Sequence, residues 1–458
     1  MIQTPWAVLR CKFNDDSTEP FTTGYYEDLF TASGVGSQNM VDFFRDVSHG
    51  NLDLSGTRVF GWYTLNMKRS DYLKELSERA DLTDQERGDI INRERVALIN
   101  RARQAAAAKG DDLSRFVSVV VCMNVPTDLF GGGNGVVCDV DSMQPRFLGQ
   151  EMGHFYGLDH SRADTVKPCG NDSGIDYKDF WDVMSTAGCA FSAPHPRYSL
   201  IGPGLNAANM ASRGWLDESR VWNTSNRSFH TVVQLRPLHR RDLPGYLAAR
   251  LGEYLVEFRS KESWDAAIPR PAVLIHRFED NHSYIMSANN GDQDLVVGSV
   301  FGTTDTGISI FPTGATKIEV IEINANEQFA KIRLVHYPPF EEPSLGGILF
   351  GGATGGASGY ILVGEKGIRP VPPHSPFVRI LDQIAAYDSS EAIASVHLRT
   401  AVRRETLSTI ASLVENQMQT LQTFGQPAPS RQTEVCEAEP ESYGKKEKRG
   451  QKVGKKTP

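Results

Sequence analysis

The sequence predicts an α+β region, followed by an all-β sandwich-like domain and then a C-terminal helical segment. Three observations predict it. Helix and strand periodicities alternate up to about residue 220, regularly spaced β-rich runs fill 229–336, and helical spacing returns over 376–423. A chain of 458 residues has room for about three domains, each with a core of its own. Lys and Arg total 48 against 56 Asp and Glu, a net charge of −8, and 40% of residues are hydrophobic. The length excludes a peptide or mini-protein, and the balance suits an ordinary soluble globular chain. No apolar run approaches the ~20 residues of a membrane span, and the opening MIQTPWAVLRCKFNDD lacks the charged and apolar regions of a secretory signal. Such a start fits a cytoplasmic protein or one exported by a non-classical route, and does not choose between them.

Taken in order, Ala7, Leu9, Cys11 and Phe13 alternate with Arg10 and Lys12, the period of a half-buried strand. Met40, Phe43, Phe44 and Val47 recur at helical spacing with Ser37 available as N-cap. Gly50 and Gly56 mark turns around a strand pair that ends in the strand formers Val59 to Leu65. Thr83 and Glu86 form a capping box, and the proline-free stretch behind them predicts a long helix from Asp84 to about Lys109. FVSVVVCMNV, residues 116–125, is apolar and β-branched, as a strand covered on both faces is. A glycine-rich loop, Gly131 to Gly135, then leads to a short strand near Val136 to Val140.

The divisions expected from this pass are 1–220, the β-rich 221–340, a Gly/Pro-rich junction at 341–373, helices over 374–424 and a tail from 425 to 458. The tail holds seven Lys or Arg and one Glu between Lys445 and Lys456. No nucleic-acid-binding fold accompanies it, so a solvated, disordered tail is the expectation. The six cysteines include no CxxC pair and are too few for a disulfide scaffold. Cys122 with Cys138, and Cys169 with Cys189, are spaced so that a hairpin or loop could bring them together, without fixing that it does.

Residues 150–160 read Gln-Glu-Met-Gly-His-Phe-Tyr-Gly-Leu-Asp-His. Positions 150 and 154 lie one helical turn apart and can face one ion, while Glu151 reaches a water bound to it. Gly157 accepts the left-handed backbone that ends a helix, and the reversed chain can return His160 to the same ion. Downstream, Asp182-Val183-Met184-Ser185 follows.

This stretch resembles the HExxHxxGxxH signature and Met-turn of the metzincin metalloproteases. VDFFRDVSHGNLDLSGTRVFGWYTL and RGWLD at 213–217 look like the immune inhibitor A and gametolysin-like group in particular. The resemblance covers about residues 5–220. It implies a metzincin-like catalytic domain, a twisted mixed sheet with an active-site helix, and a zinc-dependent endopeptidase acting on a protein or peptide. By the same resemblance His154 and His160 are zinc ligands, Glu151 is the general base, Gly157 is the turn glycine and Met184 is the apolar floor beneath the metal. Gln150 departs from the pattern, standing where the family has its first histidine. It offers only an amide oxygen, a harder donor better suited to calcium or magnesium than to zinc. Two readings follow: a Zn2+ endopeptidase with Gln150 as a weak third ligand, or an impaired pseudoprotease that keeps the fold as a binding module. His195 is the one other histidine placed to offer a replacement ligand.

Overall fold

The computed structural model describes residues 2–167, 174–186, 188–223, 229–303 and 316–336, and three short strands beyond them. The chain divides into two compact units, Met1–Val402 and Arg403–Pro458. Helices and several sheets are mixed, as the α+β expectation requires. The helical segment expected at 374–424 and the tail at 425–458 lie outside the described residues. Within the stretch read as a junction, Ile348–Phe350, Ile361–Gly364 and Gly367–Pro370 form an antiparallel three-stranded sheet. Among the described residues no helix is long and apolar enough to cross a membrane.

The first large sheet has five strands in the order Arg58–Thr64, Trp6–Lys12, Ser118–Met123, Gly135–Cys138, Phe130–Gly132. The first four run parallel, and Phe130–Gly132 closes one edge antiparallel. Ser118–Met123 is central and buried throughout, which its β-branched run predicts. Trp6–Lys12 differs from its half-buried reading, because even Arg10 is buried. The guanidinium of Arg10 donates to Thr23 Oγ1 at 2.6 Å and to the Phe60 carbonyl at 3.3 Å. Its charge therefore has partners inside the fold, and polarity alone misplaced it.

The expected strand pair near residue 55 is also rearranged. Leu52–Asp53 pairs in parallel with Ile2–Gln3, and Arg58–Thr64 pairs with Trp6–Lys12, so both find partners in the first strands of the chain rather than in each other. Helix Met40–Val47 forms as its spacing predicts, but Asn39 caps it, accepting from the Asp42 amide. Ser37 is spent on the Gly34 carbonyl instead. Helix Asp84–Ala108 opens with the capping box of Thr83 and Glu86.

The β-rich region builds two more sheets. A four-stranded antiparallel one runs Phe229–Leu235, Phe329–His336, Thr316–Asn324, Val300–Thr303. A six-stranded one runs Val221–Asn223, Ala248–Leu251, Tyr254–Arg259, Ala272–Glu279, His282–Ile285, Arg162–Ala163. Leu235, Ile318 and Ile332 of the first share one apolar cluster with Val256 and Ile275 of the second. The sixth strand of the larger sheet, Arg162–Ala163, begins two residues after His160 and pairs with Tyr284–Ile285. Cys122 and Cys138 are free, their sulfurs 3.6 Å apart on adjacent strands. Cys189 is disulfide-bonded; Cys169, whose spacing from it suggests a pairing, lies outside the described residues.

Candidate active site

Helix Pro145–Phe155 opens with proline in its first turn, where a missing N–H costs nothing. Every residue from Leu148 to Gly153 is buried, on all sides of the helix. The helix ends as the sequence predicts: Gly157 has φ +83°, and the Leu158 amide donates back to the Gly153 carbonyl at 3.1 Å, closing the last turn. The reversed chain brings the rings of His154 and His160 to 4.9 Å between centroids, at 78°.

His154 has a defined tautomer. Its Nδ1 lies 2.9 Å from the Leu158 carbonyl, which can only accept, so Nδ1 holds the proton and Nε2 keeps a lone pair. Burial lowers the pKa of His154 and of His160, favouring neutral rings.

Met184 is fully buried in the turn Val183–Ser185. A Cβ on Gly153 would lie 2.8 Å from its sulfur, so the glycine lets Met184 pass beneath the helix. Asp182 fixes the turn by accepting from the Met184 amide at 2.7 Å. Glu151 is buried, and burial pushes its carboxyl up to about 7. Glu151 and His154 therefore lie on helix Pro145–Phe155, Gly157 and His160 on the reversed chain after it, and Met184 in the turn beneath it.

Gln150 does not behave as an open ligand. It is 1% exposed, and its amide spans two neighbours. Nε2 donates to Glu151 Oε1 at 3.0 Å, and Oε1 lies 3.1 Å from the Thr186 hydroxyl. That hydroxyl also faces the carbonyls of Val183 and Arg146, at 2.9 and 3.0 Å. Among the described residues, no group of three His, Cys, Asp or Glu is placed to hold a metal. The donor set is then two imidazoles and an amide oxygen already in use, which does not fit the three-ligand set of a catalytic zinc.

Sequence reasoning missed Tyr177, Asp176 and Thr186. The Tyr177 hydroxyl lies 2.7 Å from His160 Nε2, and Asp176 Oδ2 lies 3.5 Å from His160 Nδ1. Nothing in GIDYKDF marks Asp176 or Tyr177, because they reach the site from a loop with no periodicity of its own. His195 is held in its own turn, where Nδ1 accepts from the Tyr198 amide at 3.1 Å and the ring stacks on Tyr198.

No protein-family model matches the chain, and no curated protein does. Among solved structures, a crystal structure of wild-type OgpA from Akkermansia muciniphila is similar over 73% of this chain and 92% of that one. The identity is 10% and the TM-score 0.22, a likeness too loose to fix fold or function.

Proposed function

We propose that this chain is a metzincin-like scaffold with an impaired hydrolytic centre, which binds a protein or peptide rather than cutting it. The observation that carries the reading is the Gln150 amide, held between Glu151 and Thr186 at the position of the first metal ligand. A catalytic zinc takes three protein ligands and a water. Drawing on Gln150 Oε1 would compete with its Thr186 contact in exchange for a donor that zinc disfavours. Without a metal to lower the pKa of water, Glu151 has no nucleophile to activate. The mixed five-stranded sheet, the helix packed on it and the buried Met184 support the metzincin-like part of the reading. The apolar cluster common to the two later sheets supports a sandwich-like appendage.

Zinc-dependent endopeptidase is the second reading, favoured by one feature. His154 keeps its Nε2 lone pair, and the carboxyl of Glu151, about 7, lies where a general base is most effective near neutral pH. Metal analysis together with peptide hydrolysis by wild type and Glu151→Ala separates the two. The impaired scaffold is expected to purify without stoichiometric zinc and to cleave no faster than Glu151→Ala. Stoichiometric zinc, with hydrolysis lost in Glu151→Ala, would establish the endopeptidase instead.

A further inference from the structure

His160 carries a second departure from an open metal site, independent of the one at Gln150. We infer that Tyr177 closes the metal position, its hydroxyl occupying the His160 Nε2 lone pair that an ion would need. The inference deepens the impaired-site reading and rests on it.

The proton positions follow from the partners. Asp176 Oδ2, 3.5 Å from His160 Nδ1, is a carboxylate oxygen and can only accept, so the imidazole proton belongs on Nδ1. Nε2 is then the acceptor, and the Tyr177 phenol, protonated at neutral pH, donates to it at 2.7 Å. The two rings pack at 4.0 Å between centroids.

Both partners of His160 are themselves held. Arg162 Nε donates to Asp176 Oδ1 at 2.7 Å. The Lys178 amide donates to the Ser161 carbonyl at 3.2 Å, tying the tyrosine's loop to the strand that follows His160. Tyr177 has φ +60°, a left-handed backbone that a bulky residue keeps only where its surroundings impose it. A Cβ on Gly188 would lie 2.6 Å from Tyr177 Cβ, so the opposing chain presses against this residue with no side chain between. An ion approaching Nε2 must break the Tyr177 contact and displace a packed ring. Restoring histidine at position 150 therefore repairs only one of two obstructions.

The test compares zinc affinity, by chelator competition, in wild type, Gln150→His, Tyr177→Phe and the double variant. Tyr177→Phe keeps the ring and removes the donor. The double variant is expected to bind zinc about fivefold more tightly than Gln150→His alone, the factor that one ordinary hydrogen bond supplies. Equal affinity in those two would overturn the role of Tyr177 while leaving the impaired-site reading intact, and so would a double variant that binds no zinc. Stoichiometric zinc in the wild type would overturn the reading beneath it. Should Gln150→His fail to fold, long-range 1H–15N NMR of wild type and Tyr177→Phe decides the matter alone. The His160 Nε2 resonance is expected to move on loss of the hydroxyl, and an unmoved resonance sinks the inference.

Discussion

Glu151 has a consequence that can be measured without any substrate. Burial raises its carboxyl from an ordinary 4.5 to about 7, so between those values the folded chain holds a proton that the unfolded chain releases. The sign follows from linkage: the group costs nothing below about 4.5, and its penalty grows as pH rises, becoming complete above about 7. Glu151→Gln keeps an oxygen to accept from Gln150 Nε2 and removes the ionisation. Across that window the wild type is expected to lose stability relative to Glu151→Gln in urea unfolding, and parallel pH profiles would refute it. The residues of this centre divide by how they arrive. Glu151, His154, Gly157 and His160 were legible because helical spacing and one glycine turn fix their mutual positions. Tyr177, Asp176 and Thr186 come from loops, where separation along the chain says nothing about distance. The use of the Gln150 amide was therefore hidden as well, although its identity was plain.

Where the active-site helix meets the edge strand Phe130–Gly132, two backbones touch. A Cβ on Gly131 would lie 2.0 Å from the Glu151 carbonyl oxygen and 2.6 Å from Glu151 Cα, and neither atom can swing aside. Gly131→Ala must push strand and helix apart, at a cost of about 2–3 kcal/mol, the upper part of the range for overpacking. Two residues on, a Cβ at Gly133 meets nothing within 4 Å, so Gly133→Ala is expected to stay within about 0.5 kcal/mol of wild type. Denaturant midpoints of the two variants check the pair, and equal losses would mean the contact is soft. Composition predicted a loop at 131–135 because glycine is a poor strand former. The strand exists through its pairing with Gly135–Cys138, and its glycine is explained by a helix from another part of the chain. By contrast Asp84–Ala108 and Ser118–Met123 needed only their own residues, a capping box and a continuous β-branched run.

At the scale of the whole molecule, the change of period near residue 220 is real, yet the packing runs across it. Trp264 meets Phe43 edge-on at 5.1 Å and donates from Nε1 to Asp46 Oδ2 at 3.0 Å. Leu238, Leu247 and Leu255 belong to the same core as Met184. Polar contacts cross as well. His282 Nδ1 donates to the His160 carbonyl at 2.9 Å, and Asn206 Nδ2 donates to Ser283 Oγ at 2.6 Å. Periodicity reports the local state of a segment and is silent about which face it packs on, so this dependence was not legible. One buried pair makes it severe: His276 Nε2 lies 3.0 Å from Asp179 Oδ2, with both side chains fully buried. Removing the histidine's segment would take away the His276 contact of the buried Asp179, a loss of about 3–5 kcal/mol for a buried pair broken on one side. The bare edge of Arg162–Ala163 and the exposed partners of Trp264 would add to it. Residues 1–220 alone are therefore expected not to fold cooperatively, whereas the chain through residue 336 is. Near-UV circular dichroism and thermal unfolding of the two lengths test this. A sharp transition in the shorter chain, with an aromatic signal like that of the longer one, would show that the β-rich sheets are dispensable to the site they touch.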